Sequence, residues 1–195
     1  MTERSGAVEP GTDAVEVELG AYLAADAVID HGHPEIRALA ERLRRGTPVE
    51  TARAAYEYVR DEIPHSGDVD RWSAAYRASA VLAEGNAICH GKAHLLIALL
   101  RASGIPAGVR YQRFEVLHGL VAAWWPGEGW VSIDPRGNVG GITAEFSVVR
   151  AAERIAFPEA ALEPGVYPAV PERVARALAE AVPGVAGYEY LPAAP

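Results

Sequence analysis

The sequence predicts an α+β fold on three observations. Segments with helical spacing of apolar residues lie between 34 and 102 on either side of a weakly periodic connection, short strand-like segments follow from 107 to 134, and no internal repeat breaks that order. Helices first and strands later favour an antiparallel sheet with helices packed on it. A chain of 195 residues, half of them apolar and 23% charged, has the composition of a globular protein long enough to bury a core as one domain. Residues 1–13 are polar with Gly and Pro and are expected to form a disordered tail, leaving 14–195 as a single domain.

The same numbers exclude several classes. A net charge of −8 opposes nucleic acid as a partner, because polyanion binding depends on Lys and Arg. No apolar run approaches the roughly 18 residues of a membrane span, and the N-terminus lacks the basic start and apolar stretch of a secretory signal. A cytoplasmic location is expected, in keeping with a lone cysteine, Cys89, that cannot form an internal disulfide. One cysteine also excludes a Cys-rich zinc module, and no cofactor is expected.

The elements follow in order. AVEVEL at 14–19 alternates like a short edge strand. PEIRALAERLRRG places Ile36, Leu39, Ala40 and Leu43 on one helical face, with Pro34 in the first turn and Gly46 as the stop. Thr47 and Glu50 have the spacing of a capping box, and Val49, Ala52, Tyr56, Val59 and Ile63 then form an apolar stripe that Pro64 ends. The connection 65–79 is weakly periodic, carries Trp72 and Tyr76, and is long enough to cover a cleft. After the turn formers Gly85 and Asn86, a broad apolar surface from His94 to Ala102 predicts a buried helix, terminated by Gly104 and Pro106. Strands are expected at 107–116, 119–125 and 130–134, the last two as a hairpin across PGEG, and a further helix at 171–182.

Chemistry concentrates at the start of the buried helix. A lone cysteine is by default an inert, buried one, but Cys89 falls in a first helical turn, where unpaired N–H groups favour a thiolate and lower its pKa from about 8.5. Lys92, the only Lys among 18 basic residues, lies one turn on and would add to that field. His118 begins one strand of the hairpin and Asp134 ends the other, so antiparallel pairing brings a His–Asp pair toward the nucleophile. Symmetric pairing about PGEG would set Asp134 opposite Val121, on the wrong face. A one-residue irregularity that moves it opposite Leu120 is therefore expected. Taken singly, His118 could be a rim residue and Asp134, before Pro135, a turn residue.

The stretches NAICHGKAHLLIALLRASGIPAG, LHGLVAAWW and GWVSIDPRGN occur in this order, and through them the chain resembles the transglutaminase-like superfamily from about Pro34 to about Phe157. The resemblance implies a papain-like α+β fold and a Cys–His–Asp triad carried onto Cys89, His118 and Asp134. It places the core at about 34–157 and a C-terminal extension at 158–195. Two departures stand out: His90 follows the cysteine, where the family often has a small or aromatic residue, and Gly119 follows the histidine, where Ala is frequent. The resemblance also implies an oxyanion hole made of the Cys89 N–H and an upstream side-chain donor. Trp72 is the candidate, with Tyr76 and Asn86 behind it, although Trp72 could equally serve as packing. Arg136 could position an anionic group of a substrate.

The expected activity is acyl transfer from a peptide or amide through a Cys89 thioester, with hydrolysis preferred to amine transfer because the chain has no calcium-loop signature. The alternatives are a transglutaminase proper, a silent peptide-binding module, and a hydrolase with a metal on His90 and His94, whose i, i+4 spacing permits a shared ion but whose HGKAH sequence lacks a glutamate base.

Overall fold

The computed structural model describes residues 18–195. The expected tail at 1–13 and most of the candidate strand at 14–19 lie outside the described residues. Glu18 and Leu19 belong to a helical turn rather than a strand.

Helix α1 spans Pro34–Leu43 and buries Ile36, Leu39 and Ala40. It ends three residues before Gly46, and His33 caps its start by accepting the Glu35 N–H at 3.3 Å. Helix α2, Pro48–Glu62, opens with the expected capping box: Thr47 Oγ1 accepts the Glu50 N–H at 3.2 Å, and Glu50 Oε2 accepts the Thr47 N–H at 3.0 Å. Helix α3, Ala78–Glu84, was not legible as a helix. Its start is capped from far away in sequence, by Asp30 accepting the Ser79 N–H at 3.0 Å, and Gly85 closes it in the left-handed conformation at φ 73°.

Helix α4, Cys89–Ala102, is the centre of the molecule, with every residue from Cys89 to Arg101 buried. It packs against α1–α3 on one side and the sheet on the other. Leu95, Leu96, Leu99 and Leu100 are at most 1% exposed, and burying each stabilises the fold by about 1.5–3 kcal/mol.

Strands β1 (Ala107–Arg113), β2 (Leu117–Trp125) and β3 (Gly129–Ile133) form an antiparallel sheet in the order β1-β2-β3. The C-terminal part of the chain folds back over the sheet. Tyr167 exchanges both backbone hydrogen bonds with Val109 at 2.9 Å, and the Glu163 N–H reaches the Tyr111 carbonyl at 2.9 Å. The free edge of β1 is thereby covered, which removes an exposed row of unpaired backbone groups. Helix α5, Glu172–Ala179, buries Val174 and Leu178 and ends three residues short of the expected limit. Among the described residues, no helix is long and apolar enough to cross a membrane.

Candidate active site

Cys89 is the first residue of α4, 7% exposed. Ile88 before it is extended, at φ −73° and ψ 172°, and offers no side-chain cap, so the N–H groups of the first turn remain available to an anion. Gly91 lets other backbone approach this turn. A Cβ there would lie 2.7 Å from the Ala75 carbonyl oxygen and 2.7 Å from the Ala87 Cβ.

The hairpin supplies the other two groups. Trp125 pairs with Gly129 and Val121 with Ile133, so the loop is Pro126–Glu128 and the register is moved by one residue from symmetric pairing about PGEG. Gly127 and Gly129 hold φ of 84° and 75°, the left-handed values a tight three-residue loop requires. One step further along that register, Asp134 stands opposite Leu120, as the expected irregularity demands. His118 Nε2 donates to Asp134 Oδ2 at 2.9 Å, leaving Nδ1 for the sulfur. The fully buried carboxylate is held by backbone as well: Oδ1 accepts the Arg136 N–H at 3.0 Å and Oδ2 the Ala156 N–H at 3.1 Å. Phe157 meets the His118 ring edge-on, with centroids 5.0 Å apart.

The electrostatics couple Cys89 and His118. Burial of the thiol opposes ionisation, yet the imidazoles of His90 and His118 outweigh it, aided by hydrogen bonds from His118 and His65, and hold the thiol well below its ordinary range. Burial likewise disfavours the imidazolium of His118, but the charges of Asp134 and Cys89 prevail and push its pKa up to about 10. A thiolate–imidazolium pair is therefore the favoured form at neutral pH.

These groups open into a cavity of about 280 Å³ with a largely apolar wall that includes Phe114, Leu117, Phe157 and Leu191. The sequence model of the transglutaminase-like superfamily matches residues 37–135, just over half of the chain and the segment that carries Cys89, His118 and Asp134. The chain belongs to the transglutaminase-like superfamily. Two solved structures share the fold of this transglutaminase-like chain. A "putative cysteine protease" from Cytophaga hutchinsonii has a TM-score of 0.50 and 20% identity, covering 61% of this chain and 42% of that one. The periplasmic domain of TgpA from Pseudomonas aeruginosa, bound to ethylmercury, has a TM-score of 0.50 and 22% identity, covering 62% of this chain and 49% of that one. The transglutaminase-like chain thus spans less than half the length of either. Among curated proteins, none matches it by sequence.

Several side chains that the sequence nominated stand elsewhere. Trp72 does not line the cavity: its indole N–H donates to Asp70 Oδ1 at 3.2 Å and its ring meets Tyr188 edge-on. Tyr76 packs against the core and uses its carbonyl to bond His94 Nδ1 at 2.7 Å. Asn86 is buried as a tie for the 65–79 connection, accepting from Arg71 and donating to Ser66 Oγ at 3.0 Å. Lys92 points away from the sulfur, donating to the carbonyls of Arg60, at 3.2 Å, and Ile63 at the end of α2. Burial lowers its pKa to about 7. Arg136 does line the cavity, but Asp68 neutralises it through two hydrogen bonds of 2.5 and 2.8 Å. His90 Nδ1 faces the sulfur at 3.4 Å while His94 bonds Tyr76, so the two rings serve different neighbours. Among the described residues, no group of three or more His, Cys, Asp or Glu side chains converges as a metal site would require.

Sequence reading missed His65, Tyr188 and Leu191, which also line the cavity. His65 could have been flagged as a histidine just beyond the Pro64 helix stop, in the segment expected to cover a cleft. The other two lie in the C-terminal extension, where the Leu117 N–H bonds the Pro192 carbonyl at 2.9 Å; no local signal marks that docking.

Proposed function

We propose that this chain is a thiol-dependent acyl-transfer enzyme acting on a peptide or amide, with Cys89 as nucleophile, His118 as general acid and base, and Asp134 as the group that orients His118. The supporting observation is the 2.9 Å bond from His118 Nε2 to Asp134 Oδ2, which leaves Nδ1 available to a thiol that lines the same cavity at an uncapped helix start. The Cys89 thiolate attacks the carbonyl carbon and forms a C–S bond, and the oxygen becomes an oxyanion beside the Cys89 N–H. Collapse breaks the C–N bond as His118 Nδ1 delivers its proton to the leaving amine, which leaves a thioester. The neutral His118 then takes a proton from the acceptor as it attacks, and the second collapse restores the thiolate.

Water is the preferred acceptor, making the activity that of a peptidase or amidase. The lining residues include no carboxylate to hold the ammonium of an amine acceptor, and Arg136 is already paired with Asp68. The apolar wall favours an acyl group that carries an aliphatic or aromatic side chain.

Incubation with a peptide library and mass analysis of Cys89 tests the reading. The expected result is an acyl adduct on Cys89, lost in Cys89→Ala, that partitions to acid in water and to hydroxamate with hydroxylamine. Retention of peptide with no adduct would replace the enzyme by a binding module.

A further inference from the structure

We propose that His65, as the neutral tautomer protonated on Nε2, donates the side-chain hydrogen bond to the oxyanion, opposite His118 and alongside the Cys89 N–H. This rests on the acyl-transfer reading above and supplies the donor that Trp72 does not.

Backbone pairing positions the ring. His65 and Ala87 form a parallel bridge, the Ser66 N–H bonds the Ala87 carbonyl at 3.0 Å, and the Ala87 N–H bonds the Pro64 carbonyl at 3.4 Å. The stretch just beyond α2 is thereby locked to the segment that enters Cys89. His65 is 3% exposed, lines the cavity with Cys89 and His118, and is among the groups that favour the Cys89 thiolate.

The tautomer follows from the other nitrogen. His65 Nδ1 accepts the Gly67 N–H at 3.2 Å. A nitrogen that accepts from a backbone amide carries no proton of its own, so the neutral ring bears its proton on Nε2. Gly67 itself is hemmed in, since a Cβ there would lie 3.0 Å from the Tyr188 hydroxyl and 3.5 Å from His65 Nδ1. The donors nominated from the sequence are committed elsewhere: the Trp72 indole N–H to Asp70, and the Asn86 amide to Ser66 and the Arg71 carbonyl. The two imidazoles thus divide the work. His118, held by Asp134, moves protons, and His65, held by Gly67, keeps its proton and stabilises charge as the carbonyl oxygen becomes negative.

Two reactions of Cys89 separate this role from thiol activation. Acylation by a small activated ester passes through an oxyanion, whereas alkylation by iodoacetamide does not. With both rates normalised to the thiolate fraction read by ultraviolet absorbance, His65→Ala is expected to lose about 10²–10³-fold in acylation and no more than a few-fold in alkylation. His65→Gln, which keeps an N–H donor, is expected to recover at least part of the acylation loss. Nitrogen NMR of the parent should show the His65 proton on Nε2. The assignment is overturned if acylation is unchanged in His65→Ala, if acylation and alkylation fall together in both variants, or if the proton resides on Nδ1. A parent chain that alkylates yet takes no acyl group at Cys89 would overturn the acyl-transfer reading and this assignment with it.

Discussion

His90 and Gly119 are two halves of one contact: a Cβ on Gly119 would lie 3.0 Å from His90 Cδ2 and 3.2 Å from its Cα. The large residue after the cysteine and the missing methyl after the histidine therefore compensate for one another across the α4–β2 interface. Gly119→Ala is expected to destabilise the fold by about 1–3 kcal/mol through overpacking and, by moving a ring 3.4 Å from the sulfur, to disturb Cys89 alkylation. Combining it with His90→Ser should recover much of that loss. A thermodynamic cycle measured by urea unfolding checks this, and strict additivity would refute the pairing.

The Cys89–His118 pair sets a pH window for stability. Below about 6.5 the unfolded chain holds protons on both groups while the native pair holds one, so stability rises with pH. Above about 8.5 the unfolded chain holds neither, and stability falls until His118 loses its proton, which occurs near 10 in the fold. Relative to the Cys89→Ala/His118→Ala double variant, the parent should gain most between those limits. In His118→Ala alone, the alkylation profile of Cys89 should move toward alkaline pH.

Asp134→Asn should lower acyl transfer by about 10²–10⁴-fold, by analogy with removal of the orienting carboxylate from a nucleophile–His–Asp triad. The variant withdraws the negative charge that favours the imidazolium, so His118 should titrate below its parent value of about 10. The alkaline limb of the rate profile should shift to lower pH with it. An unshifted limb would show that Asp134 does not control the proton on His118.

Lys92→Met separates scaffold from chemistry. The ammonium serves the carbonyls that end α2, not the sulfur, so alkylation of Cys89 should stay within about twofold to threefold of the parent. Stability should respond differently with pH. The folded pKa of about 7 lies below the unfolded value of about 10.4, so the unfolded chain binds more protons in between and parent stability rises with pH across that range. Chemical unfolding at several pH values should find that rise missing in the variant.

The sequence by itself determined the α+β order, the capped starts of α1 and α2, and the cysteine at the head of a buried helix, whereas the offset that faces Asp134 toward His118 was only required by pairing the two and is fixed by the observed register. The first three are written in local periodicity and in capping residues, and so need only neighbours within a few positions. Tertiary structure alone decided where the polar groups point. Asp30 caps α3 across 49 residues of chain, and Lys92 turns to α2 rather than to the cysteine three residues before it. His65 is brought into the cavity beside Cys89 by its bridge to Ala87, 22 residues on in the chain. A buried donor or acceptor takes the partner that packing brings within reach, and that choice is made by contacts far apart in the chain.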